Sequence, residues 1–358
     1  MKNTFGNNIS VTIFGESHGS DIGIVLDGLE PGIKIDRDYI NFHLTQRRPV
    51  GSISTPRSEK DPYKICSGLF NETTTGTPLC IIIPNENTHS SDYSATKDLA
   101  RPGHADFTAN EKYNGFQDYR GGGHFSGRIT AALVAGGAII QKHLENQGIY
   151  IGTHIKRCAC IDDIEFTNYK NDIDLLNSKL FATLDDKKGT QMQEAIKAAA
   201  SDNDSVGGIL ETVIIGLPTG LGDPWFDSFE SMLSHAIFSI PGIKGIEFGA
   251  GFSIADMKGS VSNDPFRIDN GKVITTTNNN GGINGGISNG MPVLFRCAVK
   301  PTPSIFKEQD TINFKEYQNS TISLKGRHDP AIIHRARVVV DSVAAIVAYD
   351  MLLAHRQI

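Results

Sequence analysis

The sequence predicts an α+β fold made as one domain over residues 1–358, and three observations predict it. Strand-like and helix-like periodicities alternate from one end of the chain to the other, so both kinds of element must share one core. No internal repeat, low-complexity stretch or linker divides the chain. At 39% hydrophobic and 21% charged, the 358 residues are enough to bury a substantial core.

Taken in order, residues 9–14 alternate as a short strand and residues 22–26 form a second. Between them Gly15, Glu16, Ser17, His18 and Gly19 make a tight turn. A solvated histidine in a hairpin turn is one reading of His18. A site histidine oriented by Glu16 at a strand end is the other. Residues 36–46 predict a helix with Asp36 as N-cap and Ile40 and Leu44 on one face. It runs into Arg47, Arg48 and Pro49. One arginine there suits the helix dipole. Two, followed by the Ser/Thr-rich residues 51–57, suit a loop closing over an anion, because guanidinium groups chelate phosphate and carboxylate oxygens in pairs.

Residues 63–69 and 79–83 predict strands joined by a Thr/Gly turn, with residues 85–93 polar and irregular. Residues 101–140 are the richest in site chemistry: His104, His124, Arg101, Arg120, Arg128 and the triplet Gly121, Gly122, Gly123. The triplet permits backbone angles closed to other residues. It is either an anion cradle before a helix or an ordinary turn. The helix that follows runs to about residue 146, and its small apolar face (Ile129, Leu133, Gly136, Gly137, Ile140) implies close packing on another helix.

A strand is predicted over 149–157, a charged surface excursion over 162–189, a helix over 191–200 and a strand over 207–216. A helix over 225–239 would carry Phe226, Phe229, Leu233 and Ile237 along one side and end at Pro241 and Gly242. A strand over 246–254 is followed by a loop over 256–271 and an Asn/Gly-rich loop over 275–290. The strand over 291–299 delivers Lys300, Pro301, Thr302, Pro303 and Ser304, a phosphate clamp or a plain strand exit. Asp329 and Pro330 open a helix over 331–353, with Asp329 as cap and a nearly charge-free middle that predicts burial on all sides.

A net charge of −6 argues against nucleic acid as a partner, since no basic excess exists to neutralise a phosphate backbone. No apolar run approaches the roughly 20 residues of a membrane helix, and the first ten residues lack a signal-peptide pattern, so a cytoplasmic protein without a membrane partner is expected. The five cysteines (Cys66, Cys80, Cys158, Cys160, Cys297) form no CxxC pair and are expected to be reduced core thiols, with no metal bound.

Three separated blocks resemble the chorismate synthases: FGESHG at 14–19, RPGHADFTANEKY through GGGHFSGR at 101–128, and GRHDP at 326–330. Between them SGLFNETTTGTPL, SSDYS, NNNGGINGGISNG and KPTPSI follow in the same order, and the resemblance runs from about residue 5 to the end. It implies a β-α-β sandwich with helices enclosed between antiparallel sheets, and a homotetramer. It implies conversion of 5-enolpyruvylshikimate-3-phosphate to chorismate and phosphate, a 1,4-anti elimination that needs reduced FMN although it is redox-neutral. NADPH enters only as a source of reducing equivalents.

Carried over residue by residue, the resemblance gives His104 the protonation of the leaving phosphate, His18 a place near the flavin N1 region, and Asp329 assistance to the proton transfer at flavin N5. Arg47, Arg48, Arg101, Arg128 and Arg327 would bind the substrate. FMN would lie against His124, Phe125, Ser126, Pro241, Gly242, Gly285, the five residues from Lys300 to Ser304, and Arg327. The chain departs from the common pattern: His124 and Phe125 stand where many members have Arg and Ser, Gln46 replaces one arginine, and Ile53 another. Two other readings are an NADPH-dependent flavin reductase, which would consume NADPH in step with product, and a non-catalytic flavin or phosphometabolite-binding protein.

Overall fold

The computed structural model describes residues 2–55, 60–86, 96–324 and 329–355. Two five-stranded antiparallel sheets enclose a layer of helices. The first has the order Thr4–Phe5, Ser10–Gly15, Asp21–Asp27, Leu79–Pro84, Lys64–Ser67. The second runs Ile243–Phe248, Val293–Val299, Gly208–Ile215, Tyr150–Cys158, Ile161–Asp162. Alternation fixes which face is inside. Ile22, Ile24 and Leu26 of one strand and Leu79, Ile81 and Ile83 of its neighbour are all fully buried, as period two requires.

The helix Thr130–Asn146 lies on that apolar face, and two adjacent glycines let it do so. A Cβ on Gly136 would sit 2.9 Å from Ile24 Cδ1, and one on Gly137 only 2.4 Å from Ser342 Cβ of the helix Ile333–His355. The expected close helix contact is thus made by Gly137, whereas Gly136 faces the sheet. The Ile333–His355 helix in turn meets the second sheet: Thr153 donates to Asp341 at 2.6 Å, and Arg337 is paired with the same carboxylate at 2.6 Å. On that sheet's opposite face His154 sits between Asp163 and Glu211, covered by Phe166, and Gly152 lies under Ile173.

The helix Ile333–His355 is long and apolar enough to cross a membrane by length and composition, which the reading of the sequence missed. In the fold 83% of its most apolar window is buried against other elements. Near its far end Asp350 accepts hydrogen bonds from the backbone N–H groups of Asn7, Asn8 and Ile9 at 3.1, 2.7 and 2.8 Å. This carboxylate ties the first sheet to the central helix.

Several segments differ from expectation. The charged stretch 162–189 contains the helix Tyr169–Asn177, capped by Asn168, because Ile173 and Leu176 pack on the second sheet despite their polar surroundings. The following helix is Asp186–Ser201, started early by the Asp185 cap. Residues 225–239 are not one helix: Trp225–Asp227 is a 3-10 turn, and Ser228 caps the helix Phe229–Ile237 by accepting from Ser231 N–H. Phe226 therefore lies outside the apolar face, 91% exposed. The 246–254 strand is Ile243–Phe248, followed by a 3-10 turn. Hairpins not anticipated occur at Phe266–Asp269 with Lys272–Thr275, and at Gln309–Asn313 with Gln318–Ile322. Cys158 and Cys297 are buried, but Cys66 and Cys160 are exposed. Cys160 follows the strand in a left-handed turn with φ of 63°, so it does not share a face with Cys158.

Candidate active site

The loops at one end of these layers surround a cavity of about 840 Å³. That is near the upper end of the roughly 300–1,000 Å³ usual for ligand pockets, room for more than one small molecule. Among the described residues eight lysines and arginines line it (Lys2, Arg47, Arg48, Arg101, Arg128, Lys244, Lys300, Arg335) against one carboxylate, Asp329. In a chain of net charge −6 this is a local reversal of sign that selects an anionic occupant.

Two of the arginines are positioned from behind by Asp61, a residue the reading of the sequence did not single out. Its carboxylate, fully buried, accepts from Arg47 Nη2 at 3.0 Å and from Arg128 Nη1. Burial alone would raise the Asp61 carboxyl, but the two guanidinium groups outweigh it and hold it below the usual carboxylate range. Burial likewise pulls Arg47 down to about 10, against the attraction of Asp61. Arg128 is further held by Asn85 Oδ1 at 3.0 Å and the Pro84 carbonyl at 3.1 Å. Arg48 donates to the Lys60 carbonyl.

Arg101 grips Asp106 through Nε at 2.8 Å, Nη2 at 2.7 Å and its own backbone N–H at 3.0 Å. The same carboxylate lies 2.9 Å from His104 Nδ1. Burial again works to raise Asp106, and hydrogen bonds from Arg101 and His104 overcome it and lower the carboxyl well below its ordinary value. Asp106 opens the helix Asp106–Lys112, which fixes it two residues beyond the histidine.

The glycine triplet runs between the two expected histidines. Gly121, Gly122 and Gly123 have φ of 60°, 86° and 52°, angles that glycine adopts without strain. A Cβ on Gly121 would stand 2.2 Å from His18 Cε1, and one on Gly122 3.1 Å from His104 Cε1. The triplet is thus a close-packing device; the helix itself begins only at Thr130. His18 is buried behind Gly121, with Nδ1 3.2 Å from Ser17 Oγ, and does not itself line the cavity. His124 does line it and donates from Nδ1 to the Gly15 carbonyl at 2.8 Å. Phe125 lines it too, edge-on to Tyr113.

Lys300 donates to the Gly103 carbonyl and so joins the 300–304 loop to the His104 loop. Thr302 Oγ1 is buried there with no hydrogen-bond partner, as are the Nε atoms of Arg47 and Arg48. Unpaired buried polar atoms are costly, and three of them on one charged cavity are the mark of a ligand's place. Asp329 is not a helix cap. It accepts from Thr55 N–H at 2.9 Å and from Arg335 at 2.5 Å, and the helix begins four residues later at Ile333. Arg335 also donates to the Arg47 carbonyl at 2.9 Å.

Ser126, Pro241, Gly242, Pro301, Pro303 and Ser304 line the cavity as well. Gly285 does not: it turns the small hairpin between Ile283–Asn284 and Ile287–Ser288, outside the lining residues. Arg327 and the SSDYS block lie outside the described residues. The residues missed by sequence reasoning are Asp61, Asp106 and Arg335. For Asp106 a signal existed, its place two residues after His104 in GHAD; for Asp61 and Arg335 none did.

A family model described as chorismate synthase matches residues 9–353. The chain is 45% identical over 351 residues to a chorismate synthase of Pyrococcus abyssi, covering 98% of each chain. It is 45% identical over 355 residues to one of Chitinophaga pinensis, covering 99% of this chain and 98% of that one. A crystal structure of chorismate synthase superposes with a TM-score of 0.77 at 27% identity, covering 98% of this chain and 93% of the other.

Proposed function

The chain belongs to the chorismate synthase family, and from that premise we propose how its cavity performs the family reaction. It is a lyase that converts 5-enolpyruvylshikimate-3-phosphate to chorismate and phosphate, the last step of the shikimate pathway to the aromatic amino acids. One observation carries the residue-level reading: eight cationic side chains face one carboxylate around a cavity in an acidic chain. The substrate bears a phosphate and two carboxylates, and Arg47, Arg48, Arg101 and Arg128, with Arg327, are its binding groups.

His104 stands on the cavity wall beside Arg101 and is the acid that protonates the leaving phosphate oxygen. Arg101 holds the departing anion. Asp329 stays oriented by Thr55 N–H and Arg335 on the cavity wall, and takes part in removing the substrate proton. His18, packed against Gly121, influences the site from behind the glycine wall.

The residues present fit FMN. The unpartnered Thr302 hydroxyl, with Lys300 and Ser304 beside it, suits the phosphate, and an apolar wall of Val11, Ile13, Leu133 and Val339 suits a flat ring. His124, Phe125, Ser126, Pro241, Gly242 and the prolines Pro301 and Pro303 complete that contact surface. Gly285 and Arg327 are assigned to it by the family resemblance alone. Reduced FMN, when bound, supplies electron density to the reacting carbons and leaves the reaction redox-neutral; NADPH is at most the external source of reducing equivalents. A homotetramer in the cytoplasm is part of the same proposal, supported by exposed Trp225, Phe226 and Phe252, which need a covering surface.

The test is anaerobic incubation of the protein with dithionite-reduced FMN and substrate. Phosphate release without net flavin oxidation is expected, and absence of turnover overturns the proposal. NADPH consumed in step with product would favour a reductase, and tight binding without phosphate release a binding protein.

A further inference from the structure

We infer that Asp106 is a positioning residue that fixes the tautomer of His104, so that only Nε2 exchanges a proton at the leaving phosphate. The inference rests on the reading of His104 as the acid.

The Asp106 carboxylate receives three hydrogen bonds from Arg101, at 2.7, 2.8 and 3.0 Å, and is therefore ionised and able only to accept. His104 Nδ1 lies 2.9 Å from its Oδ1. Two bare acceptors would repel at that distance, so Nδ1 carries a hydrogen whether the ring is neutral or cationic. Nε2 is then the one nitrogen whose proton can come and go. It lies beside Gly122, 3.2 Å from where a Cβ would be, so the missing side chain leaves room at Nε2, and His104 itself lines the cavity. This is the logic by which a carboxylate holds a catalytic imidazole in its useful tautomer.

Arg101 makes the carboxylate necessary. Its Nη2 is 3.1 Å from His104 Nδ1, a donor facing a donor. Without Asp106 that contact would become favourable only if Nδ1 gave up its hydrogen, which would move the hydrogen of the neutral ring to Nε2. In the step itself the C–O bond breaks with its electron pair going to the phosphate oxygen. The Nε2 proton transfers to that oxygen, Nε2 keeps the electron pair of the broken N–H bond, and the Nδ1 hydrogen stays on Nδ1, donated to Asp106.

The experiment is 15N NMR of the histidine rings in the full-length protein without cofactor, His104 being assigned from a His104→Ala spectrum. The neutral native ring is expected to show a protonated Nδ1 and a bare Nε2. Asp106→Asn is expected to exchange the two signals. In steady state Asp106→Asn should lower kcat by about 10²-fold or more while KM moves only a few-fold, as for a tautomer error in a general acid. A native ring protonated on Nε2 overturns the inference without any variant. So does an unchanged Nδ1 signal in Asp106→Asn, or an exchanged signal with kcat kept within a few-fold. If His104→Ala retains full rate, the reading of His104 as the acid falls instead, whatever the tautomer signals show.

Discussion

Asp61 Oδ2 lies 3.0 Å from Arg47 Nη2, with Arg128 on the other carboxylate oxygen. One buried acid thus aligns two cavity arginines without lining the cavity. Removing it would leave two guanidinium groups buried and under-compensated, a change that costs about 3–5 kcal/mol. Asp61→Asn is expected to lower the unfolding free energy by that order and to raise KM for the phosphorylated substrate at least ten-fold. Urea unfolding and initial rates check both. Because the folded carboxyl is held below its unfolded value of about 3.9, its contribution is present above that pH and lost as pH falls through the lower folded value. The variant should therefore lose less stability than the native protein on acidification below about pH 4.

Two buried histidines act at milder pH. Burial lowers His43 and His334 to about 4 each. Against an unfolded value of about 6.5, the unfolded chain takes up protons that the folded one refuses, so stability falls as pH drops from about 6.5 toward 4. Each residue contributes at most about 3 kcal/mol to that fall. His154 pulls the other way: burial opposes its charge, but its hydrogen bonds to Asp163 and Glu211 raise it, so its stabilisation is present at low pH and lost as pH rises through the raised value. Urea midpoints at pH 7.5 and 5.5 should converge in His43→Gln and His334→Gln relative to the native protein; an unchanged difference would rule out these two as its source.

Gly121→Ala puts a methyl group where His18 Cε1 now is, 2.2 Å from the new carbon, at a φ of 60°. Displacing a site histidine by about 1 Å is worth up to 10²-fold in rate. The variant is expected to lose at least ten-fold in phosphate release while its far-UV circular dichroism stays native. Full activity would mean that His18 can move without consequence.

Gly137→Ala tests the helix crossing. Its Cβ would lie 2.4 Å from Ser342 Cβ and 2.8 Å from Ser342 Cα, backbone that cannot swing away. Overpacking of this kind costs about 1–3 kcal/mol. Gly259→Ala, with nothing within 4 Å of the new carbon, is the comparison and should stay within about 0.5 kcal/mol of the native protein.

His104→Ala should lower the rate of phosphate release by on the order of 10²-fold or more, as for loss of a general acid. An unchanged rate would remove His104 from the reaction.

What could be read from the sequence was what is local in it. The strand expected over 22–26 is Asp21–Asp27, Asp36 caps Tyr39 N–H as its type predicts, and the blocks around His104 and Lys300 line one cavity that the fold brings together. The helix Tyr169–Asn177 was hidden because only Ile173 and Leu176 of its nine residues are buried, too few to outweigh its charges. Phe226 was misplaced because a 3-10 turn before Ser228 shifts the helical period. Asp61 escaped because its partners are 14 and 67 residues away, and Arg335 because its grip on the Arg47 carbonyl spans 288. Such pairings are products of topology, and no window of sequence contains both halves.

The hold of Asp350 on the backbone of Asn7, Asn8 and Ile9 has a consequence for the order of events at the ribosome. The first strands and the helix Thr130–Asn146 that covers them are synthesised early, yet the carboxylate that secures those strands, and the helix Ile333–His355 that packs on their cover, emerge more than 300 residues after the first strand. The nascent chain must carry the other face of the Thr130–Asn146 helix, the one on which Gly137 meets Ser342, uncovered until the Ile333–His355 helix is made. Its vulnerability to aggregation is therefore concentrated in the interval before that last helix is made, the period in which a chaperone would have the most to shield.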